Sequence, residues 1–305
     1  MLDRSPAPPR AQLLAAFAVV YVVWGSTYFG MRVAVETLPP FLMGGVRFLT
    51  AGAVLALWVA VRERPRWPSR GEWAWAVATG ALLMVVGNGG VVWAEARGVP
   101  SGVVALLAAS LALWMVVLDW VRPGGRRPTA AVWAGLLLGL AGVALLVGPG
   151  ALAGGGGVDP LGAACVLGGS LAWAGGSLLS AGRGRPPSAL LGSALQMLCG
   201  GALLGVLAFA HGDLARAAAP SARSVLAVAY LVVFGSLVGF TAYAWLLRHA
   251  APARVATYAY VNPVVAVALG AALGGEPLSA RVLAAAAVIV GAVALITAGR
   301  ARPAA

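Results

Sequence analysis

Apolar stretches of roughly 20 residues recur along the chain from Ala11 almost to its C-terminal end, and short polar segments separate them. Roughly 20 helical residues cross a hydrocarbon layer about 30 Å thick, because each helical residue rises about 1.5 Å. The pattern predicts an all-α integral membrane fold with ten transmembrane helices. The predicted spans are Ala11–Met31, Pro40–Val61, Trp73–Trp93, Ser101–Val121, Ala130–Val147, Leu161–Ser180, Ser188–Ala210, Val225–Leu247, Ala253–Leu273 and Leu278–Ala298.

The chain resembles itself at a spacing of 149 residues. Trp24 and its neighbours align with Trp173, and Arg47-Phe48 aligns with Gln196-Met197. The spacing predicts a first repeat over residues 11–148 and a second over residues 159–300. Because each repeat holds five helices, the second enters the membrane from the opposite side. Two inverted five-helix repeats are typical of transporters whose substrate site lies near the midplane between the halves.

Arginines are distributed unevenly between the two ends of the predicted helices. The N-terminus and the loops after even-numbered spans hold 15 arginines, whereas the opposite loops hold 5, and Arg47 lies inside the second span. Basic residues accumulate in cytoplasmic loops. The distribution therefore predicts that both termini are cytoplasmic and that the number of spans is even.

Composition narrows the function classes. The chain is 61% hydrophobic and 10% charged, and its net charge of +12 comes from arginines at helix ends, which argues against nucleic acid as a partner. Cys165 and Cys199 suit neither a metal site nor a disulfide framework. Without lysine there is no nucleotide-binding Gly-x-x-x-x-Gly-Lys loop. We expect no enzymatic activity and no cofactor. The expected partners are the lipid bilayer and a small-molecule substrate, and a homodimer is left open.

Several strings resemble the EamA type of the drug/metabolite transporter superfamily, and the YedA-like bacterial exporters within it. The resemblance implies ten helices, a central cavity, location in the bacterial cytoplasmic (inner) membrane and export of small metabolites or drugs by alternating access. It covers nearly the whole chain. The strings are Trp24–Phe29, Pro39–Pro40, Gly45–Phe48, Val86–Gly89, Ala94–Glu95, Val99–Gly102, Phe234–Ser236, Ala256–Val267 and Leu273–Glu276.

One residue departs from the pattern of the YedA-like proteins, which usually carry a proline in the fourth helix where this chain has Ala112. The corresponding proline of the ninth helix is present as Pro263. Since proline removes a backbone hydrogen bond and bends a helix, the departure predicts a weaker bend in the first half.

Polar and aromatic residues inside the spans are the candidate site, because polar groups at membrane depth avoid lipid. Arg47 is expected to contact an anionic substrate, to act in a gate, or to be a structural arginine bonded to helix-end carbonyls. The buried amides bind substrate or bridge helices, and the tryptophans line a cavity or face lipid. The predicted substrate-binding residues are Trp24, Arg47, Asn88, Trp114, Trp173, Gln196, Tyr258 and Asn262.

Two acids end predicted helices on the extracytoplasmic side. Glu95 and Glu276 are predicted to take part in gating or coupling, by pairing with Arg47 or by carrying a proton, and solvated helix ends are the alternative. Two other functions stay open. One is exchange of nucleotide sugars or phosphorylated metabolites, which requires more cationic groups than Arg47. The other is a membrane-embedded enzyme, which requires converging acids, histidines or metal ligands, or a non-transporting scaffold.

Overall fold

The computed structural model of the protein describes residues 9–97, 99, 104, 107–122, 124–125, 127–147, 159–182, 184–217, 219–274 and 279–299, which form helices and no strands. Short one-turn helices, Asp213–Arg216 and Pro252–Val255, lie before the eighth and ninth longer elements. The longer elements are α1 (Arg10–Ala34), α2 (Pro40–Arg62), α3 (Arg70–Gly80, Ala81–Asn88 and Gly89–Ala96 in succession), α4 (Leu111–Val121), α5 (Ala130–Val147), α6 (Pro160–Ala181), α7 (Ala189–Ala210), α8 (Ala222–Tyr230, Leu231–Val238 and Gly239–His249 in succession), α9 (Tyr258–Gly274) and α10 (Ala280–Ala298).

Many of these helices have the length and composition of membrane spans. A helix satisfies its backbone hydrogen bonds internally, so an apolar helix is stable in hydrocarbon. Three shorter helices are also apolar, Leu111–Val121, Ala130–Leu145 and Leu283–Ala298. Six are long and apolar enough to cross a membrane: Arg10–Met31, Pro40–Arg62, Arg70–Ala94, Pro160–Ala181, Ala189–Ala210 and Ala222–His249. The described fold is therefore that of an all-helical membrane protein.

Helix α2 packs against α7 in an antiparallel arrangement. The backbone of Gly45 lies against Gly205, that of Leu49 lies against Gly201, and that of Gly52 lies against Leu198. Residue numbers in α7 therefore fall as those in α2 rise. Small residues at the contact let the two backbones approach closely, which is how helices gain packing energy without a hydrophobic driving force in lipid.

Helices α5 and α10 are paired in the same way. Gly135 lies against Ile296, whereas Gly142, two turns later, lies against Ile289. The two helices therefore also run antiparallel. Each of these pairs joins a helix to the one that follows it by five in the chain.

Two further sets of helix contacts are also related by an offset of five in helix number. Helix α1 packs on α8 and α9, and α6 packs on α3 and α4. Helix α6 is the repeat counterpart of α1, α3 is the counterpart of α8, and α4 is the counterpart of α9, so the two sets of contacts correspond. The helix packing thus shows two structurally corresponding halves.

Helices α3 and α8 each contain a π-helical segment, in which the helix is wider than an α-helix. Such segments are rare overall, and where they occur they are frequently at functional sites. The segments are Ala81–Asn88 and Leu231–Val238, which are 150 residues apart in the chain. Each receives an indole from the other repeat. The ring of Trp173 packs on Gly87, and that of Trp24 packs on Gly239, which directly follows the second segment. The two segments therefore position the two tryptophans that are related by the repeat.

The fourth and ninth predicted spans differ from the observed helices. Residues 101–103 and 105–106 lie outside the described residues, and α4 begins at Leu111 after a turn at Ala109–Ser110. The Ser110 hydroxyl donates to the Leu107 carbonyl at 2.6 Å, and the N–H of Ala112 donates to Ala109. The helical pattern is therefore interrupted here without the proline. In the second half, α9 begins only at Tyr258, because a turn separates it from Pro252–Val255.

Candidate functional site

A central cavity lies between the two halves of the chain. The space between its lining atoms is about 700 Å³, and this figure includes the open mouth. Six of the eight predicted substrate-binding residues line it. The lining residues are Trp24, Thr27, Tyr28, Met31, Arg47, Gly87, Asn88, Val91, Ala108, Leu111, Gly169, Ser170, Trp173, Phe240, Tyr258, Ala259 and Asn262.

Arg47 is the charged residue of this wall in the described part of the chain. Its side chain is 2% exposed, its Nε donates to Ser236 Oγ at 2.9 Å, and its guanidinium lies 4.8 Å from the Phe48 ring centroid. A Cβ at Gly235 would lie 2.9 Å from the guanidinium, so this glycine makes room for it. A charge at membrane depth costs at least about 2.5 kcal/mol unless water or a partner compensates it.

The start of α2 places Arg47 at the cavity. Asp213, which is fully buried, accepts hydrogen bonds from the N–H groups of Phe41 and Leu42. These N–H groups have no partner within the helix, and a carboxylate stabilises the positive end of a helix. His211 and Arg216 also contact Asp213. Asp213 therefore ties the first turn of α2 to the segment between α7 and α8.

An aromatic cluster forms one end of the central cavity. It consists of Trp24, Trp173, Phe240, Tyr243 and Tyr258. The Trp24 ring centroid lies 4.8 Å from that of Tyr243, 4.9 Å from that of Tyr258 and 5.7 Å from that of Trp173. Tilted and edge-to-face pairs add about 0.5–1.5 kcal/mol beyond the area they bury. The cluster is therefore a closely packed layer.

Hydrogen bonds fix the orientation of the rings in this layer. The indole N–H of Trp24 donates to the Gly235 carbonyl at 3.1 Å, and that of Trp173 donates to the Tyr243 hydroxyl at 3.3 Å. The Tyr243 and Ser177 hydroxyl oxygens lie 2.5 Å apart. Phe240 and Tyr243 were absent from the predicted site, although their spacing of three residues on α8 puts them on one helix face.

The two asparagines occupy different positions on the cavity wall. Asn262 is buried, and its amide nitrogen, in the orientation that satisfies both of its polar ends, donates to the carbonyls of Tyr258 and Tyr21. Pro263 follows it and leaves the carbonyl of Ala259 without a helical donor. Asn88 ends the π-helical segment of α3 and lines the same cavity. Both asparagines therefore contribute neutral amide groups to the same cavity wall as Arg47.

Gln196 lines a second cavity rather than the central one. Its amide nitrogen donates to Ser180 Oγ at 2.6 Å. Ser180 and Gln196 follow Met31 and Arg47 of the central cavity by 149 residues, so the second cavity corresponds to part of the central one. It encloses about 250 Å³, and its lining residues are Trp75, Ser180, Ala189, Gly192, Ser193, Gln196, Ala244, Leu247 and Arg248.

Of the remaining predicted residues, the structure describes the side chain of Trp114, which lines neither cavity. Trp114 is partly buried against the core, and its indole nitrogen is buried without a hydrogen-bond partner among the described residues. The side chain of Glu95 and the whole of Glu276 lie outside the described residues. In the described part of the chain, no group of three or more His, Cys, Asp or Glu side chains gathers where a metal ion could bind.

Similar proteins are known from several bacteria. The chain is 41% identical over 288 residues to the uncharacterized inner membrane transporter YedA of Escherichia coli (strain K12), covering 94% of this chain and 91% of the relative. It is 27% identical over 290 residues to the uncharacterized transporter YvbV of Bacillus subtilis (strain 168), covering 94% and 91%. An uncharacterized Pseudomonas aeruginosa protein, PA1977, is 33% identical and covers 84% of the chain and 83% of its own length.

The fold and the sequence profile agree with these relatives. A crystal structure of a protein 22% identical in sequence superimposes with a TM-score of 0.75 and covers 95% of this chain and 98% of its own, which shows the fold alone. The profile of the EamA-like transporter family matches residues 11–148 and again residues 160–298. The chain has the two-repeat architecture of this family and belongs to the EamA-like transporter family.

Proposed function

We propose that the protein is a secondary transporter of the bacterial cytoplasmic membrane, exporting small metabolites or drugs by alternating access through the central cavity. The observation that carries this proposal is a cavity of about 700 Å³ lined from both halves of the chain, with Arg47, Asn88 and Asn262 on its wall. Polar groups inside membrane-spanning helices are costly and mark substrate pathways. Family membership and the transporter names of the relatives support the same function.

The proposed architecture has ten spans in two inverted repeats, with both termini in the cytoplasm. Repeats of the same orientation would place corresponding helices parallel to each other. The antiparallel contacts of α2 with α7 and of α5 with α10 instead support an inverted relation. The distribution of 15 arginines against 5 supports the cytoplasmic termini.

The proposed barrier between the two sides of the membrane is the pair Tyr243 and Ser177. Along α6, Trp173 lines the central cavity, Ser177 contacts Tyr243, and Ser180 lines the second cavity. Along α8, Phe240 and then Ala244 follow the same order. The pair therefore separates a wide cavity from a narrow one. In the opposite state, rocking of one repeat against the other would widen the second cavity and close the central one.

The alternatives fit this cavity less well. An exchanger of nucleotide sugars or phosphorylated metabolites needs several cations around its phosphates, and Arg47 is the one arginine among the described lining residues of the central cavity. An enzyme that relies on carboxylate or histidine acid–base catalysis needs such groups there, and the described lining contains no carboxylate and no histidine. Binding and release are the chemistry that the described wall supports.

Comparison of extracellular metabolites tests the proposal. Cells that produce the parent protein should accumulate at least one compound outside, relative to cells without it. Trp173→Ala should abolish the difference because it removes a wall of the cavity. Leu57→Ala, at a side chain that is 66% exposed on the outer surface of α2, should preserve it. Identical extracellular profiles with and without the protein, across several growth conditions, would refute transport.

A further inference from the structure

We propose that the central cavity binds a small organic monoanion, whose carboxylate pairs with Arg47 and whose apolar or aromatic body lies against the aromatic cluster. This inference rests on the proposed transport function and names the substrate class of the same cavity. It is argued from the hydrogen bonds of Arg47, the positions of the acids, and the chemistry of the remaining wall.

The guanidinium of Arg47 has unused hydrogen-bonding capacity. It carries five N–H donors, and only Nε has an acceptor among the described residues, which is Ser236 Oγ. The two terminal nitrogens therefore present a pair of donors. They belong to a side chain that is only 2% exposed and that lines the cavity. Such a pair matches the two oxygens of a carboxylate in a bidentate arrangement.

Neighbouring residues hold this donor pair in place rather than neutralise it. Ser236 and Gly235 belong to the π-helical segment of α8, and Phe48 lies beneath the guanidinium. None of these groups carries a negative charge. Among the described residues, the surroundings of Arg47 therefore position the cation and supply no negative charge to it.

The acids whose side chains are described lie elsewhere. Asp159 pairs with Arg97, Glu72 with Arg66, Asp119 with Arg122, and Asp213 with His211 and Arg216. Glu36 lies 3.9 Å from Arg223, and Glu63 is exposed after α2. None of these carboxylates lines the central cavity. A buried charge without a partner is strongly unfavourable, and a bound anion would supply the missing charge.

The rest of the wall selects the class of anion. The other polar lining side chains are neutral and include Thr27, Asn88, Ser170 and Asn262, so the described wall carries a single positive charge. A phosphate dianion would need further cations, and the ammonium of an amino acid would need an acid. The aromatic faces of Trp24, Trp173 and Phe240 suit an apolar body. Together these features favour a monocarboxylate.

The two repeats differ in charge at the position of Arg47. Gln196 stands at the position of the second repeat that corresponds to Arg47, and it is already bonded to Ser180 in the second cavity. Among the described lining residues, Arg47 is therefore the one charged partner for the carboxylate end of the substrate.

Three probes that share one body and differ in charge test the inference: phenylacetate, phenylacetamide and phenethylamine. Their binding to the purified, detergent-solubilised protein is measured by titration calorimetry. We expect the parent to bind phenylacetate most tightly. Arg47→Gln should weaken phenylacetate binding about 10- to 100-fold, the range for losing hydrogen bonds to a charged group, and should leave phenylacetamide unchanged. Arg47→Lys should restore part of the loss.

Arg223→Gln is the matched control, since its side chain is 65% exposed and is not among the lining residues of the central cavity, and it should bind like the parent. If Arg47→Gln does not fold, the preference of the parent for phenylacetate over phenylacetamide still tests the inference. Equal affinity for all three probes, preference for phenethylamine, absence of phenylacetate binding, or unchanged binding by folded Arg47→Gln would each overturn it.

These results are separable from transport itself. If cells export neutral or cationic metabolites through the parent while phenylacetate does not bind, the transporter proposal stands and the anion inference fails. If phenylacetate binds through Arg47 and no compound is exported, the anion site stands and the transport proposal fails.

Discussion

The hydroxyl oxygens of Tyr243 and Ser177 lie 2.5 Å apart, at the point where the central cavity ends and the second cavity begins. Both side chains are buried, and the Tyr243 hydroxyl also accepts from the Trp173 indole. This contact joins α6 to α8 in the state that the structure describes. It is therefore the first place where the proposed change of access can be tested.

Tyr243→Phe should favour opening of the second cavity. The ring packing stays, but the hydrogen bonds to Ser177 and Trp173 are lost, which is worth about 1 kcal/mol and shifts a two-state population about fivefold. A cysteine at Ala244, in a background without Cys165 and Cys199, should react about fivefold faster with a membrane-impermeant maleimide in inside-out vesicles.

Thr297→Val is the control for that experiment, because it removes a hydroxyl that donates to the Val293 carbonyl within its own helix. It should leave the labelling rate at position 244 unchanged. Equal rates in Tyr243→Phe and Thr297→Val would show that the hydroxyl pair is not part of a barrier.

Gly87→Ala should displace Trp173. An added Cβ would lie 2.7 Å from Cε3 of that indole, so the ring must move and the aromatic cluster must repack. Overpacking of this kind costs about 1–3 kcal/mol. Thermal unfolding in detergent should show a lower melting temperature, and export should fall. Gly168→Ala meets open space on α6 and should be neutral or stabilising by up to about 1 kcal/mol. Equal effects of the two substitutions would contradict the close contact.

Asp213→Asn should loosen the start of α2. Asparagine keeps the shape but loses the negative charge that the N–H groups of Phe41 and Leu42 share with Arg216. We expect a loss of about 1–3 kcal/mol in the free energy of unfolding. Chemical denaturation of the purified protein measures it. Glu63→Gln, at an exposed acid after α2, serves as the comparison and should change little. If Asp213→Asn unfolds at the same denaturant concentration as the parent, Asp213 does not stabilise the start of α2.

The ion pair of Arg97 and Asp159 should make stability dependent on pH. The hydrogen bond from Arg97 holds the pKa of the Asp159 carboxyl below its ordinary value. Because the folded-state pKa is depressed, the stabilisation is fully present above the unfolded pKa, about 4, and is lost as pH falls through the folded pKa. Melting temperatures of the parent should therefore fall more steeply than those of Asp159→Asn on acidification below about pH 4. Parallel curves for the two proteins would contradict the prediction.

The proposed orientation predicts a cytoplasmic C-terminus. A fluorescent reporter that folds only in the cytoplasm should be active when fused after residue 302, whereas a phosphatase that needs the periplasm should be inactive there. A fusion in the segment after α7, near His211, should give the opposite result. Activity of the C-terminal phosphatase would overturn both the orientation and the even number of spans.

The family, the all-helical class and most helix bounds followed from the sequence alone, and the comparisons confirm the family. The reason is local: long apolar runs have one stable form in lipid, and the strings around Trp24, Arg47 and Asn262 are recognisable without knowing what they touch. The start of α9 was less predictable, because the turn before Tyr258 depends on local bonds such as the one from the Thr257 hydroxyl to the Arg254 carbonyl.

Position within the candidate site required the tertiary structure. Sequence symmetry paired Arg47 with Gln196 and assigned both to one cavity, but the folded chain places Arg47 at the central cavity and Gln196 at the second cavity. The role of Ser236 as the partner of Arg47 joins residues 189 positions apart, and no local pattern marks it. Apolar periodicity determines which segments are helices, whereas the contacts between distant helices determine which polar groups meet.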